Sequence, residues 1–149
     1  MKQEVTTKRP NAWELVGSQT RLGRSEVTGY GNQTRLFTPR IKQLGHDVSV
    51  TAFYGHDGSP INWNGIPVYG KGFHPYGQDI MAAHASNFRA DILMSLMDAW
   101  VVQTELLQSY KDKWFPWFPS DHDVLPKAIY IAVKPSPKPI TMSLFGLRA

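Results

Sequence analysis

The stretch Thr28–Val50, TGYGNQTRLFTPRIKQLGHDVSV, constrains the chain most. It opens with Gly29-Tyr30-Gly31, two glycines around an aromatic. Leu36, Phe37, Ile41 and Leu44 then recur at helical spacing. Gly45 ends that helix, because it accepts the left-handed backbone that closes one. Pro39 falls inside the helix and, lacking a donor, is expected to kink it. Val48, Val50 and Ala52 alternate with Ser49 and Thr51, the period of a strand. Glycine-rich loop, helix, tight turn and strand belong to an open α/β sheet, where such a loop lies at the carboxyl edge and ligands bind.

The remainder continues the alternation. Tyr54–Gly65 reads as a loop carrying Trp63, Ile66–Tyr69 as a short strand, and Gly70–Gly77 as a second glycine-rich loop. Asp79 is placed to cap a helix reaching Phe88, with Ile80, Ala83, His84 and Phe88 on one side. Ile92–Met97 is a continuous apolar run, as expected of a parallel strand covered on both faces. Thr104–Tyr110 reads as a helix and Trp114–Phe118 as an extended aromatic segment whose pairing Pro116 and Pro119 limit. Pro126 opens a short helix over Lys127–Val133. A proline-rich connector, Lys134–Pro139, leads to a last strand at Ile140–Ser143 and the start of a helix at Leu144–Ala149. Strands alternating with helices predict a three-layer α/β domain with a mainly parallel sheet.

With 149 residues the chain suits one domain, and 42% hydrophobic residues exclude a wholly disordered one. It has no cysteine, which excludes disulfides and thiolate metal sites and is compatible with a cytoplasmic setting. No apolar run approaches the ~20 residues of a membrane span, and Met1–Pro10 lacks a signal peptide's hydrophobic core. The net charge of +4 comes from dispersed basic residues without a nucleic-acid motif. It reads as a solvated surface, with nucleotide phosphates or peripheral contact with an acidic membrane as the alternatives.

Several blocks together, GYGNQTRLF, PRIKQLGHDV, SVTAFYG, WNGIPVYGKGFHPYGQD, LMSLMDAW, PSDHD and PITMSLFG, resemble the amino-terminal domain of GT-B glycosyltransferases. They look most like the retaining, nucleotide-sugar-dependent branch called glycosyl transferases group one. The resemblance runs from about Thr28 to the last residue, in the family's order. It implies a Rossmann-like fold for 28–149 and a cleft facing a second, donor-binding domain that this sequence lacks. It also implies a hydrophobic first strand just before Gly29-Tyr30-Gly31. Met1–Val27 is polar and offers only Trp13-Glu14-Leu15-Val16-Gly17. Either unrelated, partly disordered sequence replaces that strand, or Ala12–Val16 supplies a short substitute.

Candidate site residues follow. Backbone amides at Gly29, Tyr30, Gly31 and Asn32 suit a phosphate or a sugar hydroxyl; the alternative is a plain turn. The family's corresponding loop faces the cleft near the transferred sugar and the acceptor. Asp98 ends a buried strand, where a carboxylate either accepts hydrogen bonds from substrate hydroxyls or caps the next helix. His74, in GFHPYG, is a candidate for acceptor binding. Asp121-His122-Asp123 spells the Asp-x-Asp with which GT-A glycosyltransferases hold a metal and a nucleotide diphosphate. In the GT-B reading, Asp121 and His122 instead line the cleft. His84 falls on an apolar helix side, and His46 and His56 read as turn residues. No zinc spacing and no nucleophile elbow occurs. Trp100, Trp114 and Trp117 suit either sugar stacking or core packing.

The resemblance thus implies the acceptor-side half of an enzyme that moves a sugar from a nucleotide-diphosphate sugar, with no metal or other cofactor and little activity alone. Implied partners are a sugar acceptor and either a separate donor-domain chain or a second copy meeting the exposed cleft face. The competing expectation is a non-catalytic interaction domain from a truncated gene.

Overall fold

The computed structural model describes residues 12–18 and 29–148. Its strands are β1 (Ala12–Ser18), β2 (Asp47–Tyr54), β3 (Ile61–Trp63), β4 (Ile66–Tyr69), β5 (Ile92–Leu96), β6 (Trp114–Phe118) and β7 (Ile140–Thr141). The helices are α1 (Gly29–Gln43), α2 (Met81–Phe88), α3 (Lys127–Val133) and α4 (Leu144–Arg148), with 3₁₀ segments at Ala99–Val101 and Thr104–Lys113. One sheet contains all the strands in the order β3-β4-β2-β1-β5-β6-β7. Every neighbouring pair is parallel except β3 with β4. With the antiparallel β3 set aside, the parallel strands run third, second, first, fourth, fifth, sixth, the doubly wound Rossmann order. The predicted α/β architecture with a mainly parallel sheet is the one observed.

The first strand is therefore present, and it is central. Of the two alternatives for the sequence before Gly29, the substitute around Ala12–Val16 describes what is seen. Leu15 packs into the core on the α1 face and Val16 into the core on the α2 face, and both are buried. Two adjacent apolar residues thus serve both layers, as a strand covered on both sides requires. The expectation of partial disorder in Met1–Val27 falls mostly outside the described residues. Gly17 lies where β1 meets α1, and a Cβ there would come 2.5 Å from Thr34 Oγ1. Only glycine admits that approach without moving Thr34.

Gly29-Tyr30-Gly31 is not a loop but the first turn of α1. The apolar stripe also differs from the periodic reading. Phe37 and Ile41 pack inward, whereas Leu36 and Leu44 are exposed. The inward face is completed by Tyr30, Thr34 and Thr38. Thr34 Oγ1 donates to the Tyr30 carbonyl (2.9 Å) and Thr38 Oγ1 to the Thr34 carbonyl (2.5 Å), so both buried hydroxyls are satisfied within the helix. Hydrophobic periodicity cannot register a face built from threonines. Pro39 lies within the helix without ending it. The helix ends as expected, with Gly45 at φ 89° and bonds from Gly45 N to Lys42 O and His46 N to Ile41 O.

Tyr54–Gly65 is not all loop, because Ile61–Trp63 forms β3, a hairpin with β4. Its turn is Asn64-Gly65, at φ 52° and 77°, the dipeptide that a two-residue hairpin turn demands. Lys42 Nζ donates to the Gly65 carbonyl (2.7 Å) and fastens this turn to the end of α1. Asp79 does not cap α2, which has no side-chain cap. The buried face of α2 is Met81, Ala82 and Ala85, and Ala83 is exposed. Asp79 turns back instead, and its Oδ2 accepts from Phe73 N (2.7 Å).

α1 covers one face of the sheet, while α2, the 3₁₀ segment Thr104–Lys113 and α3 cover the other. Trp114 is fully buried, with Nε1 donating to Ser95 Oγ (2.9 Å). Trp117 points to the opposite face, 5.0 Å from Phe37 between ring centroids. No helix among the described residues is long and apolar enough to cross a membrane.

Candidate functional site

β1 lies between β2 and β5, so the chain winds outward in both directions from the β1–β5 pair. α1, which follows β1, and the 3₁₀ segment that follows β5 lie on opposite faces of the sheet, which makes the carboxyl ends of this pair the topological switch point. α1 enters on one side with Tyr30, and the residues after β5 enter on the other with Asp98. The Tyr30 hydroxyl donates to Asp98 Oδ1 at 2.9 Å. Two residues singled out separately in the sequence are thus brought together at the topological switch point.

The environment of this pair favours a neutral phenol facing a carboxylate. Partial burial raises the Tyr30 pKa well above 10.0, and the hydrogen bond to Asp98, the Asp98 charge and nearby Tyr76 push it further in the same direction. Asp98 precedes the 3₁₀ turn Ala99–Val101, yet its side chain makes no capping bond to that turn. Of the two readings of Asp98, the capping one is therefore not what the structure shows. A carboxylate has more acceptor sites than one phenol can fill, so Asp98 can also accept from a ligand hydroxyl. Gly29 is exposed, and no described residue lies within 4 Å of where its side chain would stand.

His74 lies in the loop between β4 and α2, on the same edge. Its Nδ1 accepts from Tyr76 N (3.2 Å), and the two rings are 6.2 Å apart. Tyr76 packs near Phe53 at 6.1 Å. His74 thus contacts Tyr76, whose hydroxyl acts electrostatically on Tyr30. Asn32 is half-buried one position beyond Gly31. Asp121 and His122 lie in the turn after β6, both exposed, with Asp121 Oδ1 2.5 Å from His122 Nδ1. They pair with each other. Among the described residues no group of three histidines or carboxylates converges to hold a metal ion.

Tyr54, Phe73 and Tyr76 carry no sequence signal for this edge, whereas the sequence already offers Trp100 as a stacking candidate. Tyr54 ends β2, Phe73 and Tyr76 lie in the loop after β4, and Trp100 follows β5, all with exposed rings. Trp100 is 52% exposed while Trp114 is buried, so the tryptophans do not form one cluster. The turns at this edge are tied down by polar contacts. The amide of buried Gln78 donates to Val101 O and accepts from Gln103 N (2.6 Å), holding the segment after Asp98. Gln33 Oε1 and Ser120 Oγ are buried without a partner among the described residues. A lone glutamine or an exposed aromatic carries no periodic signal, so only the fold identifies them.

His84 is structural. Its ring stacks on Tyr69 (4.7 Å), its Nδ1 is 3.0 Å from Thr51 Oγ1, and burial lowers its pKa below 6.5 against the opposing charge of Asp79. His46 sits just past α1 with its ring 5.5 Å from Trp13, and His56 Nε2 is 3.0 Å from the Ser59 carbonyl. No known family model matches the chain, and no curated protein matches it significantly.

Proposed function

We propose that this domain binds the acceptor sugar of a GT-B-type glycosyl transfer, with Tyr30 and Asp98 as the residues that engage acceptor hydroxyls. The observation carrying this reading is the 2.9 Å bond between the two side chains at the carboxyl edge of the β1–β5 pair. A carboxylate pre-oriented by a phenol is a rigid acceptor for a hydroxyl proton, and rigidity of that kind lowers the cost of binding. The sequence resemblance supplies the reaction class: a nucleotide-diphosphate sugar is the donor, held by a second domain. The exposed aromatic rings at this edge support a carbohydrate ligand, because aromatic faces pack against the C–H faces of sugar rings. The same rings also favour the second reading, an interaction domain that binds without catalysis.

Calorimetry tests the proposal. Glucose or N-acetylglucosamine is expected to bind weakly, with affinity lost in Tyr30→Phe and Asp98→Asn. UDP-glucose is expected to give no manganese-dependent heat, since the donor belongs to the other domain. Manganese-dependent nucleotide binding that requires Asp121 would replace this reading with the GT-A one.

A further inference from the structure

The β3–β4 turn, Asn64-Gly65, carries chemistry of its own. Both residues are exposed, with φ at 52° and 77°. The pair that makes a tight hairpin turn is also the pair most open to intramolecular deamidation. The asparagine carboxamide carbon can close a five-membered ring with the next backbone nitrogen, and glycine puts no side chain in the way. Here that nitrogen is occupied. Gly65 N donates to Asn62 Oδ1 at 2.7 Å. Lys42 Nζ holds the other side of the same residue, donating to the Gly65 carbonyl at 2.7 Å and lying 3.5 Å from the Asn64 carbonyl.

The Asn62 contact matters because of what the Gly65 amide must lose. To attack, it gives up its proton and turns its lone pair to Asn64 Cγ. A hydrogen bond made by the protonated form disfavours that loss, and it fixes the peptide plane. Asn62 itself is followed by Trp63, whose bulk hinders the same ring closure.

We infer that Asn64 is a self-modifying site whose rate is set by the Asn62 carboxamide, through its hold on the Gly65 amide. This is independent of the sugar-binding reading. When the hold opens, Gly65 N bonds to Asn64 Cγ, the Cγ–Nδ2 bond breaks, and ammonia leaves with the amide proton. Water then opens the succinimide. Opening at the former side-chain carbonyl leaves aspartate, and opening at the former backbone carbonyl leaves isoaspartate. No electron is transferred and water is the co-reactant. Isoaspartate turns the former Asn64 carbonyl, beside Lys42 Nζ, into a free carboxylate. It also lengthens the backbone of a two-residue turn that keeps Trp63 in register with Ile66.

The test keeps the whole folded chain in mildly alkaline buffer, cleaves it after Lys42 and Lys71, and sequences that peptide by tandem mass spectrometry. Conversion is expected at Asn64 and not at Asn62, and more slowly than in urea. Asn62→Ala should speed it about three- to tenfold in the folded chain and leave the rate in urea unchanged. Asn62→Asp, whose carboxylate still accepts from Gly65 N, should match the native rate. Lys42→Met loosens the turn without touching the Gly65 amide and should accelerate conversion far less than Asn62→Ala. Equal acceleration by Lys42→Met would assign the effect to general loosening and overturn the inference. So would an Asn62→Ala rate no faster than the native one, or a native rate equal in buffer and in urea. If the alanine chain does not fold, the aspartate variant decides: faster conversion than native overturns the role of Asn62, and an equal rate supports it.

Discussion

The Tyr30 hydroxyl and the Asp98 carboxylate, 68 positions apart in the chain, are joined by a 2.9 Å hydrogen bond at the carboxyl edge of the sheet. The bond ties the first turn of α1 to the segment leaving β5, so it bridges the two halves of the doubly wound sheet. Loss of either partner should loosen this edge. Tyr30→Phe is expected to cost about 1.5–3 kcal/mol of folding stability, the usual range for a hydrogen bond to a charged group. A double-mutant cycle with Asp98→Asn, read by urea denaturation, should return a coupling of about 1 kcal/mol. Strictly additive effects would mean that the contact contributes nothing in solution.

The same pair contributes to the alkaline limb of stability. Tyr30 in the folded protein holds its proton above 10.0, whereas the unfolded chain releases it near that value. Above pH 10 the unfolded state therefore binds fewer protons than the folded one, and stability falls as pH rises. Spectrophotometric titration should show one tyrosine ionising after the others. Asp98→Asn should return it toward the ordinary range, and Tyr30→Phe should flatten the alkaline limb of the stability curve.

His84 contributes on the acid side in the opposite sense. Burial lowers its folded pKa below 6.5, with Asp79 opposing the shift, so the neutral ring is the stable form against Tyr69 and Thr51. As pH falls below 6.5 the unfolded chain takes up a proton that folded His84 resists, and stability declines until the folded pKa is passed. An NMR titration should place the His84 midpoint below 6.5. His84→Gln should remove this contribution to the acid limb of the stability curve. A midpoint above 6.5 would contradict the packing described for this ring.

Gly17→Ala tests the contact of β1 with α1. The added methyl would meet Thr34 Oγ1 at 2.5 Å, and the Thr34 rotamer is pinned by its bond to the Tyr30 carbonyl. Overpacking of this kind costs about 1–3 kcal/mol. Thr34→Ala in the same chain should recover part of the loss, because it removes the colliding oxygen. No recovery would place the strain elsewhere.

Most of the architecture was legible in the chain because parallel strands covered on both faces announce themselves. Ile92–Met97 is of that kind, the alternation of Val48, Val50 and Ala52 with Ser49 and Thr51 marks a second strand, and Gly45 marks the end of α1. The first strand was harder to read, since Leu15 and Val16 contribute to opposite faces within a polar surrounding and show no alternation. Asn64-Gly65 did carry the signal of the β3–β4 hairpin, but the Gly, Pro and Asp residues before it made the whole segment read as a loop. The stripe on α1 was misread because Thr34 and Thr38 occupy positions where periodicity expects leucine. For the site, Asp98 was visible as the acidic end of an apolar run and Tyr30 as the residue between two glycines. Their meeting depends on the strand order, which places β5 beside β1. Phe73, Tyr76 and Trp100 belong to one edge for the same reason, and nothing in their local sequence says so.

The most direct measurement is an amide chemical-shift titration of the isotope-labelled chain with a neutral sugar, N-acetylglucosamine. The account predicts saturable shifts concentrated at Gly29–Gly31, at the residues from Asp98 to Val101, and in the loop from Phe73 to Gly77, all reduced in Asp98→Asn. Shifts confined to the opposite edge, around Lys42 or Lys113, or no saturable shifts at all, would contradict it.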